Sequence, residues 1–152
     1  MNNKSSTNRN QSERGNAILE FALGWSVFLL LFAGVFQYGY TMYVYNALMT
    51  SITNAAELGS KLNYDTASPS TFTNQVQNMV LYGDTTAGTK SIIPGLTASN
   101  ITISVNPEDS MPTDITITIQ NFSVNAVFAT LAFNGKPRVT AVYMGQITCS
   151  TC

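Results

Sequence analysis

Three groups of side chains in this chain could do chemistry: a lone carboxylate, a cysteine pair and a loop cluster of acids. Glu20 lies inside an apolar run, where a carboxylate placed in a bilayer costs about 2.5 to 3.5 kcal/mol even on the lenient insertion scale, so it needs a partner or a purpose. Cys149 and Cys152 form a C-x-x-C at the end of the sequence. Redox catalysts place such a pair at a helix N-terminus. No residue follows Cys152 to start a helix, so the expectation is a small disulfide formed in an oxidising compartment, with an intermolecular link or an attached group as the alternatives. Glu108, Asp109 and Asp114 could touch a calcium ion but follow no recognised loop pattern, and a solvated turn is the plainer reading.

Other chemistry is set aside by composition. The chain has no His, so the two thiols lack the further ligands a metal would need. It has no convergent acid pair, no phosphate-cradling glycine loop and no nucleophile elbow, so no catalytic residue, metal or cofactor is expected and the chain does not read as an enzyme. Seven basic residues against eight acidic ones, with a pI near 5.1, leave no basic footprint for nucleic acid. At 152 residues there is room for one domain and an anchor.

The elements that position Glu20 begin with the first fifty residues. Met1 to Gly15 is rich in Asn, Ser and Arg, with Lys4, Arg9 and Arg14 against Glu13, and reads as a disordered leader retained in the cytoplasm. Phe21 to Phe36 carries no charge, and the apolar character extends back to Ala17 and forward to Val44. About 25 such residues can span a hydrocarbon core about 30 Å thick. Positive charge before the span and none just after it place the N-terminus inside and the remainder outside. Tyr38, Tyr40, Tyr43 and Tyr45 mark the outer end, as anchors in the headgroup zone or as packing surface for neighbouring subunits. A secretory signal cleaved near Ala33 or Gly34 is the rival reading; it is disfavoured by the acid near the start of the apolar run and by the lack of an A-x-A site.

No Lys or Arg occurs between Arg14 and Lys61, so the span holds no cation for Glu20. A cut after Gly15 would create one: the new α-amino group of Asn16, one helical turn away in the same chain or facing Glu20 of an adjacent chain. The run Arg14-Gly15-Asn16-Ala17-Ile18-Leu19-Glu20-Phe21 resembles the class III leader of type IV pilins and pseudopilins: a short basic leader, a Gly, a cut, and a Glu at the fifth mature position before an apolar helix. A snorkelling Glu at the start of a plain signal anchor is the simpler alternative.

Within that superfamily, Ser12 to about Leu62 is similar to the TadE-like family of the tight-adherence (Flp) pilus system, through Glu20-Phe21-Ala22-Leu23, Gln37-Tyr38-Gly39 and Asn54-Ala55-Ala56-Glu57-Leu58-Gly59. Two departures stand out: Gln37 occupies the place of an acidic or small residue, and Trp25-Ser26 replaces a frequent Leu-Pro or Val-Pro. The helix also lacks the proline found in adhesion and twitching pilins. Major Flp pilins are much shorter, so the resemblance implies a minor pilin or pseudopilin. Gly15 and Asn16 would then be the leader cleavage site for a prepilin peptidase, and Glu20 and Phe21 the subunit-assembly residues.

Beyond the span, Tyr45, Leu48, Ile52, Ala55, Ala56, Gly59 and Leu62 recur every three to four residues, which continues the helix from Ala17 to about Leu62 with an apolar stripe that must be covered. Asn63 to Ser70 breaks it, Pro69 marks the turn, and Ser70 can cap a short helix with Phe72, Val76, Met79 and Val80 on one side. A Gly, Thr and Lys loop follows from Gly83 to Ser91. Alternation predicts strands around Ile101, Ile103 and Val105, around Ile115, Ile117 and Ile119, and from Arg138 to Thr148. Asn125 to Phe133 is ambiguous between strand and helix, and a helical turn near the membrane surface is expected, with Phe128, Leu131 and Phe133 in the core. Asn134-Gly135 signals a turn.

The expected architecture is α+β: a 1–15 leader, a 16–45 transmembrane helix, and a 46–152 exported pilin-like domain whose antiparallel sheet packs on the helix. The expected function is structural or assembly work in a type IV-related pilus. A tip-exposed adhesive module and an anchored periplasmic protein outside any filament are the alternatives. Expected partners are membrane lipid, other pilin or pseudopilin subunits and the prepilin peptidase, at a prokaryotic inner membrane with the domain periplasmic or extracellular.

Overall fold

The computed structural model describes residues 7–108, 111–126 and 128–145. One helix dominates: α1, Thr7–Lys61, of 55 residues, about 80 Å long at 1.5 Å per residue. It is continuous from Ala17 to Lys61, one residue short of the expected end near Leu62, and also runs back through Thr7 to Gly15, so that stretch of the expected disordered leader is helical. Nothing there stops a helix already nucleated. The segment has no proline, and Gly15 inside a helix costs only about 1 kcal/mol relative to Ala.

Helix α2, Pro69–Tyr82, packs back along α1. Pro69 is not outside the helix but at its first turn, where a missing N–H costs nothing, and the cap position falls on Ser68 rather than Ser70. Phe72, Val76, Val80 and Leu81 are buried against the α1 stripe of Val44, Leu48, Ile52, Ala55 and Ala56. Gly83, with φ of 73°, ends α2 by donating its N–H to the Met79 carbonyl.

Strands β1 (Ile101–Glu108), β2 (Met111–Ile119) and β5 (Arg138–Val142) form an antiparallel sheet in the order β1-β2-β5. The register pairs Ile101 with Ile119, Ile103 with Ile117 and Val105 with Ile115, so the predicted alternation sets which face meets the helices. Ile115, Ile117 and Ile119 of the central strand are fully buried. On the other face Thr116 and Thr140 share a hydrogen bond of 2.8 Å. The third strand is shorter than expected, since β5 ends at Val142. Tyr143 instead turns its hydroxyl to the end of α1, donating to the Leu62 carbonyl (2.8 Å) and accepting the Tyr64 N–H (3.0 Å).

The expected helical turn over 125–133 is absent: β3 (Phe122–Asn125) and β4 (Thr130–Phe133) form a separate antiparallel hairpin. Its base decides the matter. Phe122 and Phe133 face each other across the hairpin with ring centroids 6.3 Å apart, and Phe133 packs on Tyr45 of α1 at 6.0 Å. Period-two burial places Phe122 and Val124 together on the inner face of β3. Of the three aromatic and Leu residues expected in the core, only Phe133 is buried; Phe128 is 65% exposed and Leu131 46%.

Candidate functional site

Below the domain, α1 is exposed along its length among the described residues. From Ile18 to Phe36 its large apolar side chains are exposed on every side, and the buried stripe begins only at Thr41 and Val44. A soluble protein does not present a patch of that size to water. By length and composition the Gly15–Lys61 portion of α1 can cross a membrane. Together with the antiparallel sheet above it, this defines an α+β protein built as a long apolar helix followed by a small domain docked on the helix's C-terminal half.

The residues singled out by sequence lie along this helix. Gly15 and Asn16 are exposed, and a Cβ on Gly15 would meet no described group beyond its own stretch of helix within 4 Å. Glu20 is exposed one turn above Asn16, and no described cation pairs with it; the ion pair present is Glu57 with Lys61 at 2.7 Å, far along the helix. That pairing holds the Glu57 carboxyl below the usual carboxylate range, through the Lys61 hydrogen bond and then its charge. Phe21 begins an aromatic ridge that sequence reasoning missed: Phe21 stacks on Trp25, Trp25 on Phe28 and Phe28 on Phe32, with centroids 6.1, 5.5 and 6.5 Å apart. Its signal was the i, i+4, i+7, i+11 spacing of those rings, which puts them on one face.

Gln37 was read only as a departure from a pattern, and the structure gives it a task. Its side-chain amide donates to the Ala129 carbonyl and accepts the Phe128 N–H, both at 3.0 Å, which latches the tip of the β3–β4 hairpin to α1 where the buried stripe starts. Higher up, Gly59 lets α1 approach α2 and β2 closely, since a Cβ there would lie 3.2 Å from Val76 and 3.3 Å from Ile115.

Asp114 lies within β2 rather than in the expected solvated turn, and accepts a hydrogen bond at 2.7 Å from Asn106, its cross-strand partner on β1. Glu108 ends β1, and Asp109 lies outside the described residues. Among the described residues no group of three His, Cys, Asp or Glu is placed to hold a metal. Cys149 and Cys152 lie outside the described residues.

Residues 15–57 match the family model described as TadE-like protein. The match begins at Gly15, covers the apolar helix and most of the buried stripe on α1, and lies within the Ser12 to Leu62 region of the resemblance. No curated protein and no solved structure matches the chain.

Proposed function

We propose that this protein is a membrane-anchored subunit associated with a tight-adherence pilus, a minor pilin or pseudopilin cut by a prepilin peptidase between Gly15 and Asn16. The observation that carries this is an apolar helix, similar to TadE-like protein over residues 15–57, that leaves its lower half unpacked with an acid at position 20. Lipid covers that half before assembly and the helices of other subunits cover it afterwards. The role is structural: Gly15 weakens the helix where a peptidase must unwind it, and cleavage frees the Asn16 amine. That amine pairs with Glu20 of a neighbouring chain, and the pair fixes the axial offset between subunits because a carboxylate among apolar helices has no other described cation to meet. The Phe21 to Phe32 ridge supplies the lateral packing surface. The leader and the foot of the helix lie on the cytoplasmic side, and the domain lies outside.

Glu20→Gln tests this reading, since it keeps size and hydrogen bonding but removes the charge. Leader cleavage and membrane insertion stay at parental levels while incorporation into the pilus or its assembly complex falls. Parental incorporation of the Gln variant would show that charge pairing does not recruit the subunit, and the snorkelling account of Glu20 would replace it.

A further inference from the structure

The residues joining β3 to β4, Ala126-Val127-Phe128-Ala129, contain none of the Gly, Pro, Asn, Asp or Ser residues that turns exposed to water use, and no charge. Phe128 is 65% exposed and Leu131 46%. An apolar tip of this kind calls for a covering, and its position says which. The base of the hairpin sits at Tyr45 and its tip at Gln37, so the hairpin runs down α1 by eight residues, about 12 Å. The apolar run from Ala17 to Phe36, charged only at Glu20, is about 30 Å long, the thickness of a hydrocarbon core, and its outer end falls beside Gln37. Tyr38, with its ring exposed, and Met42 border the same level. Between helix and hairpin lies an apolar crevice of about 390 Å³, lined by Gly34, Tyr38, Met42, Ala129 and Leu131 among others.

Part of the tip's described backbone is also satisfied from within the chain. The Phe128 N–H is taken by the Gln37 carbonyl oxygen, and the Ala129 carbonyl accepts from both the Gln37 amide and the Ala126 N–H. Backbone groups entering the edge of a bilayer must be satisfied internally, whereas a loop in water has no such need. We propose that the β3–β4 hairpin is a second membrane contact: Phe128 and Leu131 seat in the outer headgroup and acyl boundary of the bilayer, with Gln37 as the latch that holds them there. The partner is lipid, in the subunit before assembly, and the contact fixes the tilt of the domain over the membrane. This inference rests on the reading of α1 as a span.

The chain has a single Trp, Trp25, within the apolar run, which allows the two readings to be tested separately. The full chain is placed in phosphatidylcholine vesicles containing lipids brominated on the acyl chain, which quench only a Trp that touches them. In the parent chain, Trp25 reports the span. In a Trp25→Phe background, Phe128→Trp reports the tip, and Val142→Trp, at a position 72% exposed on β5, is the control in the domain. Retained tyrosine near-UV circular dichroism shows that each variant is folded. The expected result is that Trp25 and the Phe128→Trp probe each lose about half or more of their emission to bromolipid, as for a side chain about 5 to 10 Å into the interface, while the Val142→Trp probe loses none and is quenched by aqueous acrylamide. If Trp25 is quenched but the position 128 probe responds only to acrylamide, the tip contact is refuted and the span stands. A position 128 probe shielded from both quenchers means that a second copy of the chain covers the tip, which also refutes it. Failure of Trp25 itself to be quenched removes the span and the inference together.

Discussion

Replacing Gly59 by Ala probes the docking of the domain on α1, because a Cβ there would crowd fully buried side chains of both α2 and β2. A Cβ at Gly59 would stand 3.2 Å from Val76 Cγ2 and 3.3 Å from Ile115 Cδ1, with Phe72 Cζ at 3.7 Å. Val76 and Ile115 are fully buried, and the β-branched Val76 has little rotamer freedom with which to yield. Overpacking of this kind costs about 1 to 3 kcal/mol, while Ala in place of Gly in a helix returns about 1 kcal/mol. The net expectation is a loss of about 1 kcal/mol, a fall in midpoint of about 4 to 8 °C for a domain of this size. The assay is thermal unfolding of the full chain in detergent micelles, followed by tyrosine near-UV circular dichroism. Gly39→Ala is the control, since its Cβ would meet no described group beyond its own stretch of helix within 4 Å and the substitution leaves the midpoint unchanged or higher. A Gly59→Ala chain that melts at or above the parental temperature would refute the close approach of α1 to α2 and β2.

Two further outcomes follow from the hairpin. Gln37→Ala removes both latch bonds, worth about 0.5 to 1.5 kcal/mol each, so amide exchange at Phe128 accelerates about tenfold or more; unchanged protection would show that the latch does not hold the tip. Phe133→Ala, which empties the space between Phe122 and Tyr45, destabilises by about 3 to 5 kcal/mol in the same thermal assay, whereas Phe128→Ala stays within about 0.5 kcal/mol because that ring is outside the core.

Much of this architecture was legible in the sequence where a single period governs a segment. The uncharged run from Phe21 to Phe36 and the stripe from Tyr45 to Leu62 specify α1 without any tertiary information, and the alternation at Ile101, Ile103 and Val105 against Ile115, Ile117 and Ile119 specifies β1 and β2. The hairpin was not legible, because the Ala-Val-Phe-Ala connection lacks turn residues and its apolar side chains imitate core spacing. What settles it is Phe133 between Phe122 and Tyr45, a contact that depends on a helix nearly ninety residues upstream. The Gln37 latch was hidden for the same reason, spanning 91 and 92 residues in sequence. The candidate assembly site was legible as chemistry, since an acid in an apolar run demands a partner, but a partner on another chain leaves no trace within one chain.

The most direct test of the proposed function is the mass of the mature N-terminus of the chain recovered from the membranes of its native cell. Cleavage between Gly15 and Asn16 predicts a chain that begins at Asn16, with the amine that Glu20 is to meet. A chain that keeps Met1, or one that begins beyond residue 30, would contradict the account.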